Sequence, residues 1–156
     1  MDSPLIFILT KITSTEGFLI AIGCILVYFL IRHRFFQAIT LLLSTAGLLL
    51  LTNLLKELIH ATRPENPLID VTGYGFPSGH ATAASFLGLL LCYLAQNRRT
   101  HVRYLIYILS ILGILTIGLS RIYFNVHTPF QVGAGYLLGA LCLYTFIWIN
   151  ERQIKE

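Results

Sequence analysis

Gly73-Tyr74-Gly75-Phe76-Pro77-Ser78-Gly79-His80 is a polar, glycine-punctuated break between two long apolar runs, and how the chain is read on either side of it decides the fold. Glycines let backbone N–H groups approach a ligand, Ser78 adds a hydroxyl, and a helix is expected to begin at His80, presenting the positive end of its dipole. An anion such as phosphate suits that combination. Pro-Ser-Gly ahead of an apolar run is also an ordinary turn and helix start, so the flanking sequence has to decide.

Outward from this break the chain is apolar almost everywhere. Its 156 residues are 56% hydrophobic and 12% charged, with a mean hydropathy of +0.75, which is too apolar for a soluble globule. The expected architecture is a single all-α domain over 1–156, an integral membrane helical bundle of about five transmembrane helices plus a short N-terminal interfacial helix. Downstream of the break, spans are predicted over about 80–94, 104–119 and 130–149, with Trp148 as an interfacial anchor. Upstream, they are predicted over 17–31 and 35–59, and residues 150–156 form a charged tail. The apolar patch at 5–9 is too short to span, since a bilayer needs ~20 apolar residues. Asp2 in place of a basic start, with no small-residue cleavage site, argues against a cleaved signal peptide.

Cys24, Cys92 and Cys142 fall in apolar runs without CxxC or His spacing, and read as buried small hydrophobes rather than a disulfide or zinc framework. The net charge of +4 comes from short basic clusters at the ends of apolar runs. That pattern suits anionic lipid headgroups and gives no extended face for nucleic acid. If the spans alternate, Arg32, Arg34, Arg98, Arg99, Arg103, Arg152 and Lys155, seven of the eleven basic side chains, share one side, which is then cytoplasmic.

The same alternation gathers the polar oddities on the other, outer face: Lys56 with Arg63-Pro64, then Pro77-Ser78-Gly79-His80, then Ser120-Arg121 and His127 in the turn joining the last two spans. Singly, Lys56 or Arg121 would be a snorkelling anchor. Three cations, a hydroxyl, glycine donors and two imidazoles at one depth are unfavourable in a membrane protein without a ligand, and a multiply charged phosphate would offset that.

These residues resemble the three-part signature of the type 2 phosphatidic acid phosphatase superfamily. Lys56, six residues, Arg63-Pro64; Pro77-Ser78-Gly79-His80; and Ser120-Arg121, five residues, His127 match its ordered motifs over 56–131, about half the chain. The resemblance implies a helical bundle without cofactor or metal, in which His127 attacks phosphorus and His80 is the general acid. The chemistry of the residues agrees. An imidazole nitrogen can hold a phosphoryl group covalently, and a second imidazole can protonate the leaving oxygen. Lys56, Arg63 and Arg121 would meet the charge on the phosphate oxygens, helped by Ser78 and the Gly79 N–H.

One position departs from the family. Four residues after His127 the superfamily has an aspartate that orients the nucleophile, and this chain has Gln131. Its carbonyl oxygen can accept from the imidazole and keep the reactive tautomer, but a flipped amide would select the wrong one. A backbone carbonyl, or Asp70 or Glu65, would have to supply the rest.

The reading is therefore a membrane lipid phosphatase acting at the outer face of a bacterial inner membrane. Its substrate partner would be a phospholipid or isoprenoid diphosphate: undecaprenyl diphosphate, phosphatidylglycerol phosphate, phosphatidic acid or lipid A 1-phosphate. The alternative is a catalytically weakened phospholipid-binding or scaffold member, motivated by Gln131. No nucleic acid or obligate protein partner is implied. Of the remaining features, His60 lies one turn after Lys56 and near the proposed site. Gly135 and Gly139 suggest close helix packing.

Overall fold

The computed structural model describes residues 14–153. Among these, all regular structure is helical: α1 Thr15–Ile31, α2 Phe35–Ile59, α3 Gly79–Ala95, α4 Thr100–Tyr123 and α5 Pro129–Gln153. The expected N-terminal interfacial helix, with Lys11, lies outside the described residues. Helices α2, α4 and α5 are long and apolar enough to cross a membrane, whereas α1 and α3 have 17 residues each. At ~1.5 Å per residue those two reach about 25 Å, at the short end for a ~30 Å hydrocarbon core.

The helix limits extend the sequence reading at both ends of α4 and at the end of α5, and at the two C-terminal ends a buried polar side chain explains why. A hydropathy reading stops α4 at Leu119, but the helix continues to Tyr123 because Arg121 turns inward, 3% exposed. Ser120 and Arg121 are thus in the last turn of α4 and not in the interhelical turn. In α5, Asn150 is 2% exposed and donates to Thr40 Oγ1 at 3.0 Å and to the Phe146 carbonyl at 2.7 Å. It binds the end of α5 to the start of α2, so residues 150–153 are helix and not a free tail.

Helix α3 is the central element, packed on α1, α4 and α5. Its first half is small, Gly79-His80-Ala81-Thr82-Ala83-Ala84-Ser85, and lets neighbouring backbones come close. On α5, a Cβ at Gly135 would lie 2.6 Å from the Ser78 carbonyl, and one at Gly139 would overlap the Thr82 carbonyl and reach the Phe86 nitrogen at 2.9 Å. The glycine pair is therefore an α3–α5 packing seam. The apolar core is Phe18, Ile22 and Phe29 of α1 with Leu41, Leu48, Phe86, Leu90, Leu143 and Phe146, and Phe18 and Leu48 carry it up to the site end. Large apolar side chains also cover the outside, among them Leu43, Leu50, Leu105 and Ile108, as expected of a bundle solvated by lipid. Of the cysteines, Cys142 is buried and Cys24 is exposed, which corrects the expectation that all three are buried. Helix α1 is apolar around its whole circumference, so apolar character alone did not reveal which residues face inward.

Replacing Gly139 with valine is expected to lower thermal stability in detergent by roughly 1–3 kcal/mol or more, because the added atoms meet backbone and not a mobile side chain. Gly133→Ala, on the same helix but with open space around its Cβ, should leave the midpoint unchanged or raise it slightly. Equal melting of the two variants would contradict the packing seam.

Candidate active site

The loop between α2 and α3, residues 60–78, folds across one end of the bundle and is tied down chiefly through its own carbonyl groups. Helix α2 ends at His60, whose left-handed conformation (φ 48°) stops the helix. The ring of His60 packs edge-on against Tyr74 at 4.4 Å between centroids. Phe76 stacks on Phe130 of α5 at 5.7 Å, so both loop aromatics serve loop packing. Lys56 donates from Nζ to the Tyr74 carbonyl at 2.8 Å. Arg63 donates to the carbonyls of Gly73 (2.9 Å), Thr72 (3.0 Å) and Val126 (3.1 Å).

A cavity of about 260 Å³ lies beneath this loop, and Lys56, Arg63, Gly79, His80, Arg121 and His127 all line it. Residues from the three predicted motifs are thus brought to one place. Ser78 is fully buried at the N-cap of α3 beside Gly79, and its hydroxyl does not cap the helix. Both Ser78 Oγ and His80 Nε2 are buried without a hydrogen-bond partner. Unpaired buried polar groups are unfavourable by ~1–3 kcal/mol each, and an anion's oxygens would relieve them. No carboxylate lines the cavity among the described residues.

His127 carries the most specific geometry. Its Nδ1 lies 2.9 Å from the Gly75 carbonyl oxygen and 3.1 Å from Gln131 Oε1, while Nε2 lies 3.2 Å from Arg63 Nη1. A carbonyl can only accept and a guanidinium only donate. The hydrogen is therefore on Nδ1, and Nε2, in the cavity wall, holds the lone pair. The amide of Gln131 is oriented by the same logic, since Nε2 donates to the Thr62 carbonyl at 3.0 Å and Oε1 accepts from the Thr128 N–H at 3.2 Å. The flipped amide would set its own N–H groups against the Thr128 N–H and His127 Nδ1–H, and its oxygen against the Thr62 carbonyl.

The glutamine also begins α5. Thr128 Oγ1 accepts from the Gln131 N–H at 3.2 Å, so Thr128 and Gln131 form a reciprocal capping box around Pro129 at the first helical position. That signal stands in the sequence as Thr128-Pro129-Phe130-Gln131, whereas the sequence reading treats position 131 only as a partner of His127. The second acceptor on Nδ1 is the Gly75 backbone, for which no side chain speaks. Gly75 itself admits nothing larger, since a Cβ would sit 2.7 Å from Gln131 Nε2. Asp70 and Glu65, the other candidates for that role, are exposed, and Glu65 meets Asn125 through its backbone carbonyl.

Burial lowers the His127 pKa to about 4, helped by the charges of Arg63 and Lys56 and opposed by the hydrogen bonds to Gln131 and Gly75. Burial also lowers the pKa of Arg63, whose charge is met by carbonyl dipoles.

Comparison with known proteins places this arrangement. The family model described as the PAP2 superfamily matches residues 37–155. The phosphatidylglycerophosphatase B of Bacillus subtilis is 30% identical over 112 residues, 66% of this chain and 53% of that protein. An undecaprenyl-diphosphatase of Sulfolobus acidocaldarius is 31% identical over 124 residues, 75% of this chain and 53% of that protein. The crystal structure of the transmembrane PAP2-type phosphatidylglycerolphosphate phosphatase from Bacillus subtilis superposes with a TM-score of 0.83 at 26% identity, covering 97% of this chain and 80% of that one. The chain spans between 27% and 53% of the length of the curated relatives it matches.

The tautomer and the titration are open to nitrogen NMR on histidine-labelled protein, with His127 assigned by its loss in His127→Asn. The ring should be the Nδ1–H form and remain neutral until the pH approaches about 4. The folded value lies below the ordinary 6.5, so the unfolded chain binds more protons in between, and stability should fall as pH drops from about 6.5 to about 4. In Gln131→Glu a carboxylate replaces the amide and the His127 titration should move upward. An unchanged midpoint would contradict the Gln131 contact.

Proposed function

The chain belongs to the PAP2 superfamily, and on that footing we propose that it is an integral membrane lipid phosphatase whose active site is the cavity under the α2–α3 loop. The observation that carries the reading is the fixed tautomer of His127. Its Nε2 lone pair sits in a wall shared with three cations, Lys56, Arg63 and Arg121, and with a second imidazole, His80.

The steps follow from those positions. A terminal phosphate enters among Lys56, Arg63 and Arg121, with its oxygens also meeting Ser78 Oγ and the first N–H groups of α3. It draws the Arg63 guanidinium off Nε2, leaving that nitrogen free. Nε2 attacks phosphorus and forms a P–N bond while the P–O bond to the lipid breaks. The electron pair leaves on the lipid oxygen, which takes a proton from His80. The hydrogen bonds from Nδ1–H to Gly75 and Gln131 support the positive charge that develops on the ring. Water, deprotonated by His80, then attacks phosphorus, and inorganic phosphate departs as the P–N bond breaks. Lys56, Arg63 and Arg121 stabilise the equatorial oxygens throughout.

The substrate is a lipid with a terminal phosphate, a phospholipid or an isoprenoid diphosphate. Support comes from the placement of the cavity at one end of the apolar helices and from relatives whose names span phosphatidylglycerophosphate and undecaprenyl diphosphate. Arg32, Arg34, Arg98, Arg99, Arg103 and Arg152 lie at the opposite helix ends. The positive-inside rule then supports an outward-facing site, and the Bacillus subtilis relatives support a bacterial cell membrane. The second reading, a lipid-binding protein with weakened catalysis, rests on Gln131 lacking the charge of the family aspartate.

Phosphate release from a panel of lipid phosphates by purified protein in detergent separates the two. Activity should vanish in His127→Ala, survive a metal chelator, and fall by about 10²- to 10⁴-fold in kcat with His80→Gln. Lipid binding without any His127-dependent release would leave only the second reading.

A further inference from the structure

The side chain of Gln131 is buried between two partners with opposite demands. Its Oε1 accepts from His127 Nδ1–H at 3.1 Å, and its Nε2 donates to the Thr62 carbonyl at 3.0 Å. The second contact reaches further than Thr62. That carbonyl belongs to the peptide group joining Thr62 to Arg63, which is planar from one Cα to the next, so holding its oxygen also holds the nitrogen and Cα of Arg63. The Arg63 side chain then returns to the same imidazole, donating from Nη1 to His127 Nε2 at 3.2 Å. A closed ring results, made of the Gln131 amide, the His127 imidazole, the Arg63 guanidinium and the Thr62–Arg63 peptide.

Such a ring needs a side chain at 131 that accepts on one side and donates on the other. An aspartate there would only accept, and it would turn an oxygen towards the Thr62 carbonyl. The surrounding backbone is held in the same sense. One residue earlier, the Ala61 carbonyl accepts from the Gly75 N–H at 2.8 Å, and the Gly75 carbonyl accepts from His127 Nδ1–H at 2.9 Å. A Cβ at Gly75 would lie 2.7 Å from Gln131 Nε2 and 2.9 Å from the Thr62 oxygen, so the loop and the glutamine meet without slack.

Resting on the phosphatase reading above, we propose that Gln131 is a positioning residue with a task a carboxylate cannot perform: it sets the Arg63 backbone against His127, so that the phosphate-binding cation and the nucleophile keep a fixed spacing. When phosphate draws the guanidinium off Nε2, only that link of the ring opens. The amide still holds the imidazole on one side and the Thr62–Arg63 peptide on the other. Arg63 swings from an anchored Cα, and less freedom is lost when it takes up the phosphate oxygens. The departure at position 131 thus exchanges a charge beside the nucleophile for a mechanical link between nucleophile and substrate cation.

Binding of inorganic phosphate to purified protein in detergent, followed by phosphorus NMR, tests the link without requiring turnover. Wild type is compared with Gln131→Met, Arg63→Ala and the double variant; methionine keeps the length of the side chain but has no donor for the Thr62 carbonyl. Kd should rise about three- to tenfold in Gln131→Met, the effect of roughly one hydrogen bond, and about 10- to 10²-fold in Arg63→Ala, which loses bonds from a charged group. Because Gln131 acts through Arg63, the two changes should not add: with Arg63 already alanine, Gln131→Met should raise Kd by less than about twofold. Nitrogen NMR of Gln131→Met should still show His127 in the Nδ1–H form, since the Gly75 carbonyl accepts from that nitrogen.

An unchanged Kd in Gln131→Met, or a full additional loss in the double variant, overturns the link. Loss of the Nδ1–H form together with the affinity also overturns it, because Gln131 would then act on the imidazole alone. Should Arg63→Ala fail to fold, the cycle is run with Arg63→Lys, which keeps the charge without the fork, and the same lack of additivity is expected. Release of lipid phosphate that depends on His127, with additive Kd values, overturns the link and leaves the phosphatase reading intact. Absence of such release with non-additive values sinks the phosphatase reading and keeps the link within a phosphate-binding site. Wild type that binds no inorganic phosphate sinks both.

Discussion

The guanidinium of Arg63 directs its N–H groups at the carbonyl oxygens of Thr72, Gly73 and Val126 and at Nε2 of His127, and through them one side chain joins the α2–α3 loop to the segment that carries His127. A loop lying at the edge of a bilayer has backbone carbonyls that water satisfies poorly. A cation with a planar fork of donors satisfies several at once. Lys56 does the same for Tyr74. The cations thus have two functions: they hold the loop when the site is empty of phosphate, and their charge is what a phosphate would meet.

This double use explains how the site tolerates so much positive charge without a carboxylate. Carbonyl dipoles stabilise Lys56 and Arg63, and Arg121 lies near the face of Phe124, 5.5 Å from its ring centroid, an arrangement that favours a cation. With these charges nearby and little water, the imidazole of His127 is held neutral, the state in which a ring nitrogen has a lone pair to donate. A carboxylate beside Nδ1 would shift that balance towards the protonated ring. Gln131 accepts the same hydrogen bond without that shift and relies on Gly75 for the second acceptor.

Much of this was legible in the sequence because the bilayer restricts a spanning backbone to few solutions. Apolar runs had to be helices, the basic clusters oriented them, and alternation alone brings Lys56, Arg63, His80, Arg121 and His127 to one face. What escaped were features made by the backbone or by inward-turned polar residues. Arg121 and Asn150 read as helix ends because a hydropathy reading has no term for burial of a charged or amide group against a partner. The Gly75 carbonyl has no side-chain signature at all. Gln131 was legible as a departure from the family, but its role in capping α5 had to be weighed together with Thr128, and that required looking three residues back.

The same contacts that pack the bundle also set the geometry of the site. The Ser78 N–H donates to the Gln131 carbonyl at 3.0 Å, and four residues further along α5, in its next turn, Gly135 faces the Ser78 carbonyl. The α3–α5 seam therefore fixes the start of α3, which presents Ser78, Gly79 and His80, against the start of α5, which positions Gln131 and through it His127. A side chain at Gly135 or Gly139 would push the two helix starts apart and separate His80 from His127, the proposed general acid and nucleophile. An ångström of such movement can cost about 10²-fold of the advantage of holding reacting groups in place. The small residues along α3 and α5 thus bear on the site as much as on the packing, since the distance between the two imidazoles is set where the backbones touch.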